Sequence, residues 1–294
     1  MVRLTSDHAS HRESALTGVS PEALIVVSAI SLYAGAAVAV SLFDYLQPQS
    51  VAWIRVAGAA LLLLAWRRPW RASWTRERLL WAAAFGATLA VMNLMFYLAV
   101  KQLHLGTAVA IEFLGPISVA VFFSRSRRNA LALAVAIAGV ALLSEVSASG
   151  QLEGVGFALV AATLWAGYIL LGSRVATQGA ALDGLGLGMF VGALVIAPAG
   201  LPWIEPVLDR PWLIAAGVAV GLLSNVVPYG LDQVAFRRVP PGRFALLLAL
   251  LPATATLAGF IALGQVPSPA ETVGIALVIT AIAIRDRAGE SVVA

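Results

Sequence analysis

Two residues that could take part in chemistry, Arg55 and Glu112, lie inside long apolar stretches of the chain. Glu112 belongs to the apolar run 107–123, and Pro116 follows it by one helical turn. Because proline cannot donate a hydrogen bond to the carbonyl four residues before it, a carboxylate and a freed backbone carbonyl would occur together there. A guanidinium group binds carboxylates through a fork of two donors, and a carboxylate binds an ammonium group or a proton. Together the two residues could bind a small zwitterion.

The same two residues could instead form a structural ion pair. Each lies about six residues from the outer end of its apolar segment, or roughly 9 Å at 1.5 Å per residue. A charged side chain in hydrocarbon costs roughly 2.5–3.5 kcal/mol on insertion scales, so it is seldom without a partner. The sequence leaves both interpretations open: an ion pair between two helices, or a site in which Glu112 takes an ammonium group or carries a coupling proton.

Five further polar or aromatic residues lie inside apolar segments. Asn93 and Tyr97 are one turn apart on one helical face, which we expect to point away from lipid. Tyr33, Trp165 and Tyr168 are near the middle of their segments, where a tyrosine or tryptophan needs a polar partner. We expect these residues to line a cavity; helix packing and interhelical hydrogen bonds are the alternative.

The composition of the chain predicts a membrane protein. Of its 294 residues, 60% are hydrophobic and 12% are charged, and the mean hydropathy is +0.90. Soluble domains have about 25% charged residues, so this chain cannot cover itself with a polar surface and we expect a lipid bilayer around it. The excess of arginine does not indicate nucleic-acid binding, because the arginines lie in short loops between apolar runs.

The hydropathy pattern predicts an all-α integral membrane protein with ten transmembrane helices. The apolar segments are, approximately, 22–42, 49–66, 79–100, 106–123, 129–145, 152–173, 183–201, 211–230, 243–264 and 270–285. With this count, all but three of the 19 Lys and Arg residues fall on one face, the exceptions being Lys101, Arg210 and Arg55. The positive-inside rule then predicts that both termini are cytoplasmic, with a disordered tail at 1–20 and a short tail at 287–294.

An internal repeat divides the chain into two five-helix halves, 21–147 and 148–286. The pattern Ser-Leu-Tyr-Ala-Gly at 31–35 recurs as Thr-Leu-Trp-Ala-Gly at 163–167, an offset of 132. The spacing of Ala99, Leu103, Gly106 and Pro116 recurs at an offset of 136. Because five is odd, the second half enters the membrane inverted, which is the plan of secondary transporters that rock around a site near the membrane midplane. Bends for this motion are expected at Gly35, Gly167, Pro116, Pro252 and, as an inner gate, Pro228.

Several functional classes are disfavoured by missing motifs. The chain has no phosphate-binding Gly-x-x-x-x-Gly-Lys-Ser/Thr motif, no cysteine and no cluster of histidines, so we expect no nucleotide, metal or other cofactor. No Ser-His-Asp set is readable within the apolar segments, which argues against an enzyme. A channel would need rings of like charge or of carbonyls, which two halves with a single acid do not supply.

Five stretches resemble the drug/metabolite transporter superfamily, in its EamA-type group. They are AWIRVAG at 52–58, NLMFYL at 93–98, LGTAVAIEFLGP at 105–116, WAGYIL at 165–170 and VPY at 227–229. The resemblance covers about residues 22–285. Within the group, the sequence resembles the threonine/homoserine exporter branch and an aromatic amino acid exporter branch. It implies efflux of small metabolites, often amino acids, across the bacterial inner membrane by a monomer or homodimer. Leu248 stands where the repeat would place a second Glu112, so a site centred on that acid is asymmetric.

Overall fold

The computed structural model describes residues 19–123, 126–147, 152–178, 181–248 and 251–284. Within these ranges the chain is helical and contains no strand. Residues 1–18, Arg125, Arg285, Arg287 and the predicted tail 287–294 lie outside the described residues.

The first half of the described chain forms six α-helices and two short 3₁₀ helices. The first helix begins at a proline, with the Ser20 hydroxyl accepting from the backbone N–H of Ala23 at 3.2 Å, and Thr75 caps the third helix in the same way. The α-helices are α1 (Pro21–Ser41), α2 (Pro48–Arg67), α3 (Arg76–Val100), α4 (Leu105–Glu112), α5 (Leu114–Phe123) and α6 (Arg127–Ser147). The 3₁₀ helices are Leu42–Asp44 and Pro69–Arg71.

The second half of the described chain forms eight α-helices. Its α-helices are α7 (Leu152–Thr177), α8 (Ala181–Gly200), α9 (Pro206–Asp209), α10 (Trp212–Gly221), α11 (Val227–Phe236), α12 (Pro241–Leu247), α13 (Leu251–Leu263) and α14 (Pro269–Ile284). A π-helical turn, Leu222–Val226, joins α10 to α11, and a 3₁₀ turn at Leu201–Trp203 follows α8.

Seven helical segments in the described ranges are long and apolar enough to cross a membrane. They are Pro21–Asp44, Pro48–Arg67, Arg76–Val100, Leu105–Phe123, Leu152–Thr177, Ala181–Trp203 and Trp212–Phe236. Each corresponds to one predicted segment, and α6, α13 and α14 occupy the places of the fifth, ninth and tenth.

One predicted boundary was wrong. The eighth segment, predicted to end at residue 230, continues to Phe236, so Asp232 and Gln233 belong to a membrane-length helix. Hydropathy falls at these two residues, yet both side chains are buried in protein, so lipid does not meet them. The ninth segment, predicted over 243–264 with a bend at Pro252, contains the two helices α12 and α13.

Small residues let the helices approach closely. A Cβ atom added to Gly86 of α3 would lie only 1.9 Å from the Gly188 carbonyl oxygen of α8. A Cβ on Gly192 would lie 2.5 Å from the Gly86 oxygen. The spacing of Gly184, Gly188 and Gly192 predicts a small-residue ridge, and close packing is confirmed at all three, since a Cβ on Gly184 would lie 2.5 Å from Val175 Cγ1.

The polarity of the molecule is reversed relative to that of a soluble protein. Large apolar side chains such as Leu61, Phe122 and Ile261 are exposed, while polar side chains such as Arg55 and Asn93 are buried. An apolar exterior suits lipid tails, and polar groups inside a bilayer face the protein interior or a cavity. The polar interior is therefore the place to look for function.

Candidate functional site

One cavity lies between helices from the first and second parts of the chain. Its empty space, counted together with the open solvent at its mouth, is about 550 Å³. Helices α1, α2, α3, α4, α7, α11 and α13, together with residue 248, contribute its walls. The lining residues are Ser28, Leu32, Tyr33, Arg55, Met92, Asn93, Phe96, Glu112, Trp165, Tyr229, Asp232, Leu248 and Leu251.

The structure brings most of the predicted site residues to this cavity. Tyr33, Arg55, Asn93, Glu112 and Trp165 all line it, although they come from five different helices.

The other two predicted residues lie behind the wall. Tyr97 is fully buried with the Arg55 guanidinium carbon 4.8 Å from its ring centre, and its hydroxyl has no hydrogen-bond partner in the described chain. Tyr168 is also buried, and its hydroxyl donates to Asp232 Oδ2 at 2.8 Å. Both therefore position cavity residues.

Arg55 is bound to the interrupted helix opposite it. Its Nη2 donates to the Ser224 carbonyl oxygen at 3.0 Å, and its Nε donates a short hydrogen bond to Asn225 Oδ1. Its Nη1 is buried and has no partner among the described residues. The guanidinium group is thus fixed on one side, and the hydrogen-bonding capacity of its Nη1 is not satisfied by any described residue.

Proline explains why the Ser224 carbonyl is available to Arg55. Pro228 has no N–H to donate to the carbonyl four residues before it, which is that of Ser224. The preceding turn is π-helical, a widened form that is frequent at functional sites. On the other side of this turn, a Cβ added to Gly35 would lie 2.1 Å from Ser224 Oγ, so only glycine lets α1 approach so closely.

Glu112 ends α4, and the helix resumes at Leu114 after a break at Phe113. This is the interruption that Pro116 predicts. The Glu112 side chain is 6% exposed and its carboxylate makes no hydrogen bond or ion pair within the described chain. In particular, the structural ion pair with Arg55 is not formed, because Ser224 and Asn225 hold the guanidinium group instead. The Glu112 carboxylate therefore remains available to a ligand.

Asn93 and Tyr229 meet across the cavity. The Tyr229 hydroxyl donates to Asn93 Oδ1 at 3.3 Å, while Asn93 Nδ2 donates to the Leu89 carbonyl oxygen of its own helix at 2.8 Å. Trp165 packs its edge against Phe113 with ring centres 5.5 Å apart, which ties α7 to the break beside Glu112.

Sequence analysis missed one cavity residue that carries charge. Asp232 lines the cavity, is 6% exposed, and accepts hydrogen bonds from Ser28 Oγ at 3.0 Å and from Tyr168. The signal was present, since Asp232 follows Pro228 and Tyr229 by four and three residues and so shares their helical face.

The cavity therefore contains one guanidinium group and two carboxylates. Guanidinium recognises a carboxylate through two donors, and a carboxylate recognises an ammonium group. An α-amino acid carries both groups on one carbon atom. Arg55 and Glu112 fit such a ligand, because the described chain leaves Arg55 Nη1 and the Glu112 carboxylate without hydrogen bonds, whereas both Asp232 oxygens are already bonded.

Comparisons with known proteins establish the family. Residues 152–284 match the model of the EamA-like transporter family. Over 264 residues the chain is 34% identical to the threonine/homoserine exporter RhtA of Escherichia coli (strain K12), covering 89% of both chains. The chain therefore belongs to the EamA-type transporters of the drug/metabolite transporter superfamily, and it is a membrane protein.

Further relatives are also transporters. RhtA of Salmonella typhimurium (strain LT2) is 32% identical over 264 residues, covering 89% of both chains. The uncharacterized transporter YwfM of Bacillus subtilis is 27% identical over 247 residues, covering 78% of this chain and 80% of that protein. A crystal structure matches the fold with a TM-score of 0.58 at 19% identity, over 90% of this chain and 96% of the other.

Proposed function

We propose that the protein is a secondary transporter that exports amino acids of the threonine or homoserine type across a bacterial inner membrane. The observation that carries this proposal is the buried pair of opposite charges in the cavity, Arg55 and Glu112, neither of which uses the other as its partner. The relative at 34% identity is named for export of threonine and homoserine, which supports this substrate class.

The proposed binding mode uses the two free groups. Arg55 Nη1, which lacks a partner within the described chain, takes the substrate carboxylate, and Glu112 takes the ammonium group. Asn93 and Tyr229 supply hydrogen-bond donors and acceptors between them. Tyr33 and Trp165 form the apolar walls around the substrate side chain. The carrier needs no cofactor, and its solute gradient or a proton gradient supplies the energy.

We further propose ten membrane crossings in two inverted five-helix halves, both termini being cytoplasmic. The helix contacts support this arrangement. If each membrane segment is replaced by the segment five places away in the chain, the main pairs of segments in contact become other pairs that are also in contact. Thus α3 with α7 corresponds to α11 with α1, and α3 with α8 corresponds to α10 with α2. Likewise α5 with α7 corresponds to α13 with α1. The pairs α2 with α8, α4 with α13 and α6 with α14 correspond to themselves.

Alternating access follows from this symmetry. The two halves would rock around the cavity, opening it to each side in turn, with bends at Gly35, Gly167, Pro116, Pro252 and Pro228. At Gly167 a Cβ would lie 3.3 Å from Thr88 Cγ2, which is closer than ordinary van der Waals contact, so α7 packs tightly against α3 at this glycine. The unit that moves is one chain, whether it is a monomer or one half of a homodimer.

A second substrate class, aromatic amino acids, is favoured by the rings in the wall. Tyr33, Phe96, Trp165 and Tyr229 all line the cavity and could stack on an aromatic side chain. A competition panel in proteoliposomes distinguishes the classes. We expect unlabelled threonine and homoserine to displace radiolabelled threonine, and phenylalanine and tryptophan to displace it poorly. Saturable uptake of radiolabelled phenylalanine or tryptophan, with none of radiolabelled threonine, would favour the second class, and no saturable uptake of any amino acid would refute both.

A further inference from the structure

Asp232 is a second buried carboxylate that the proposed binding mode does not use. Both of its oxygens are held by neutral hydroxyl groups, Oδ1 by Ser28 of α1 and Oδ2 by Tyr168 of α7. Ser28 Oγ also lies 3.3 Å from the Pro228 carbonyl oxygen, one turn before Asp232. The carboxylate is thus fixed in place at the junction of three helices and faces the cavity.

No cation neutralises Asp232 within the described part of the chain. Across the cavity, Arg55 is held by the carbonyl oxygen of Ser224 and by Asn225. On α8, which packs against α11, the charged group Asp183 is paired with Arg67 at 3.1 Å. Arg55 and Asp183 therefore have partners other than Asp232.

Helix α12 and the other neighbours supply no free cation either. On α12, Arg243 is paired with Glu22 at 3.4 Å. The other titratable groups that face Asp232 are the hydroxyls of Tyr33, Tyr168 and Tyr229, and the carboxyl group of Glu112 across the cavity. None of these groups carries a positive charge.

A carboxylate buried without a cation is costly in free energy, and a proton removes that cost. The surroundings of Asp232 accept either form, because a hydroxyl group can donate to a carboxylate or rotate to accept from a carboxylic acid. The net charge of the cavity also favours binding of a proton. One guanidinium and two carboxylates leave a net charge of −1, and a zwitterionic substrate does not change it.

We propose that Asp232 binds and releases the proton that is exchanged for substrate, while Arg55 and Glu112 bind the zwitterion. This inference rests on the proposed transport function. In each cycle the Asp232 carboxylate takes one proton from one side of the membrane and gives it up on the other, and one amino acid moves the opposite way. Because the zwitterion has no net charge, each exchange moves one positive charge across the membrane.

The contacts of Asp232 give the proton a means to affect the helices. Asp232 joins α11 to α1 and to α7, and these helices come from both proposed halves. Protonation changes which group donates in each hydrogen bond, so it alters the strength of contacts that hold the halves together. Charged hydrogen bonds are about twice as strong as neutral ones.

The experiment compares two kinds of flux in proteoliposomes that contain the full-length protein, with radiolabelled threonine as the probe. Counterflow is measured at equal pH on both sides, with unlabelled threonine inside. Gradient-driven uptake is measured with an acidic interior and no threonine inside. For the wild type we expect counterflow, and an uptake that the acidic interior stimulates and a protonophore abolishes. For Asp232→Asn we expect counterflow to continue and the stimulation to be lost.

Matched variants separate a proton site from a structural role. Asp232→Glu keeps the carboxylate and should keep the stimulation, and Glu153→Gln, an exposed acid outside the cavity, should behave as the wild type. Stimulation that survives in Asp232→Asn, or is missing in the wild type, would overturn the proposal. So would loss of counterflow in an Asp232→Asn protein that elutes as a monodisperse species, since Asp232 would then bind substrate. Absence of wild-type counterflow with every amino acid would refute the proposed function, and this inference with it.

Discussion

The Tyr229 hydroxyl donates a hydrogen bond to Asn93 Oδ1 at 3.3 Å, and the two residues are 136 positions apart. This separation equals the offset that relates Pro116 to Pro252 in the sequence repeat. The two side chains therefore occupy equivalent places in the proposed halves and meet where the pseudo-two-fold axis would pass. Both residues line the cavity.

The repeat places residues of different chemistry opposite one another. At the same offset of 136, Glu112 corresponds to Leu248 and Asp232 corresponds to Phe96, and all four residues line the cavity. At the offset of 132, Tyr33 corresponds to Trp165. Each proposed half thus contributes one acid where the other contributes an apolar side chain. The proposed two-fold arrangement of helices would therefore carry an asymmetric site.

Arg55→Lys tests whether the guanidinium fork binds substrate. Lysine keeps the charge but offers a single point of donation, so it cannot hold Ser224 and Asn225 and also bind a carboxylate. Hydrogen bonds to charged groups contribute about 1.5–3 kcal/mol. We therefore expect the apparent KM for threonine to rise roughly tenfold or more, since about 1.4 kcal/mol is a factor of ten.

The matched control for this variant is Arg174→Lys. Arg174 is an exposed residue outside the cavity, 3.4 Å from Glu77, and its replacement should leave transport unchanged. Concentration-dependent uptake in proteoliposomes measures both variants. An unaltered KM in Arg55→Lys would exclude Arg55 from substrate binding.

Gly86→Ala tests the close crossing of α3 and α8. The added Cβ would lie 1.9 Å from a backbone oxygen of Gly188, so the two helices must separate. Overpacking of this kind costs about 1–3 kcal/mol, and we expect a lower Tm in a thermal melt of the detergent-purified protein. Gly156→Ala is the control, because a Cβ there meets nothing within 4 Å and alanine favours helix by up to about 1 kcal/mol. Equal melting temperatures for both variants would argue against the close crossing.

Crosslinking α4 to α13 tests alternating access. A Cβ placed on Gly259 would lie 3.5 Å from the Cβ of Leu105, within the range of disulfide geometry, and the natural chain has no cysteine. We expect oxidation of the double variant Leu105→Cys, Gly259→Cys to stop transport, and reduction to restore it. Each single variant treated with the same oxidant is the control. Full transport by the oxidised, crosslinked protein would show that these helices need not separate.

Much of the fold was predictable, because a membrane helix is recognisable in a sequence as an uninterrupted apolar run. The seven membrane-length segments of the described chain match predicted segments, and Pro116 correctly indicated a break beside Glu112. Depth in the membrane was also readable by counting residues, so Arg55 and Glu112 were expected to meet at one level, and both line the same cavity.

The direction in which each side chain points around its helix axis was harder to predict. Arg55 binds the Ser224 carbonyl rather than Glu112, because Pro228 frees that carbonyl on a distant helix. Asp232 was missed because polar residues near a helix end are read as loop when hydropathy alone sets the boundary. Tyr97 and Tyr168 lie behind the residues that line the cavity. The sequence could not show this, because side chains that face away from lipid either line the cavity or pack behind the residues that do.

The central claim is that the Glu112 carboxylate binds the transported molecule. Threonine counterflow by purified Glu112→Gln, compared with Glu153→Gln in matched proteoliposomes, tests it most directly. The amide keeps the size of the side chain and removes its charge, so we expect counterflow to fall by at least about tenfold, as loss of a charge-assisted contact of roughly 1.5–3 kcal/mol requires. Glu153→Gln should transport as the wild type does. If Glu112→Gln exchanges threonine at the wild-type rate and affinity, Glu112 does not bind the substrate and the account is wrong.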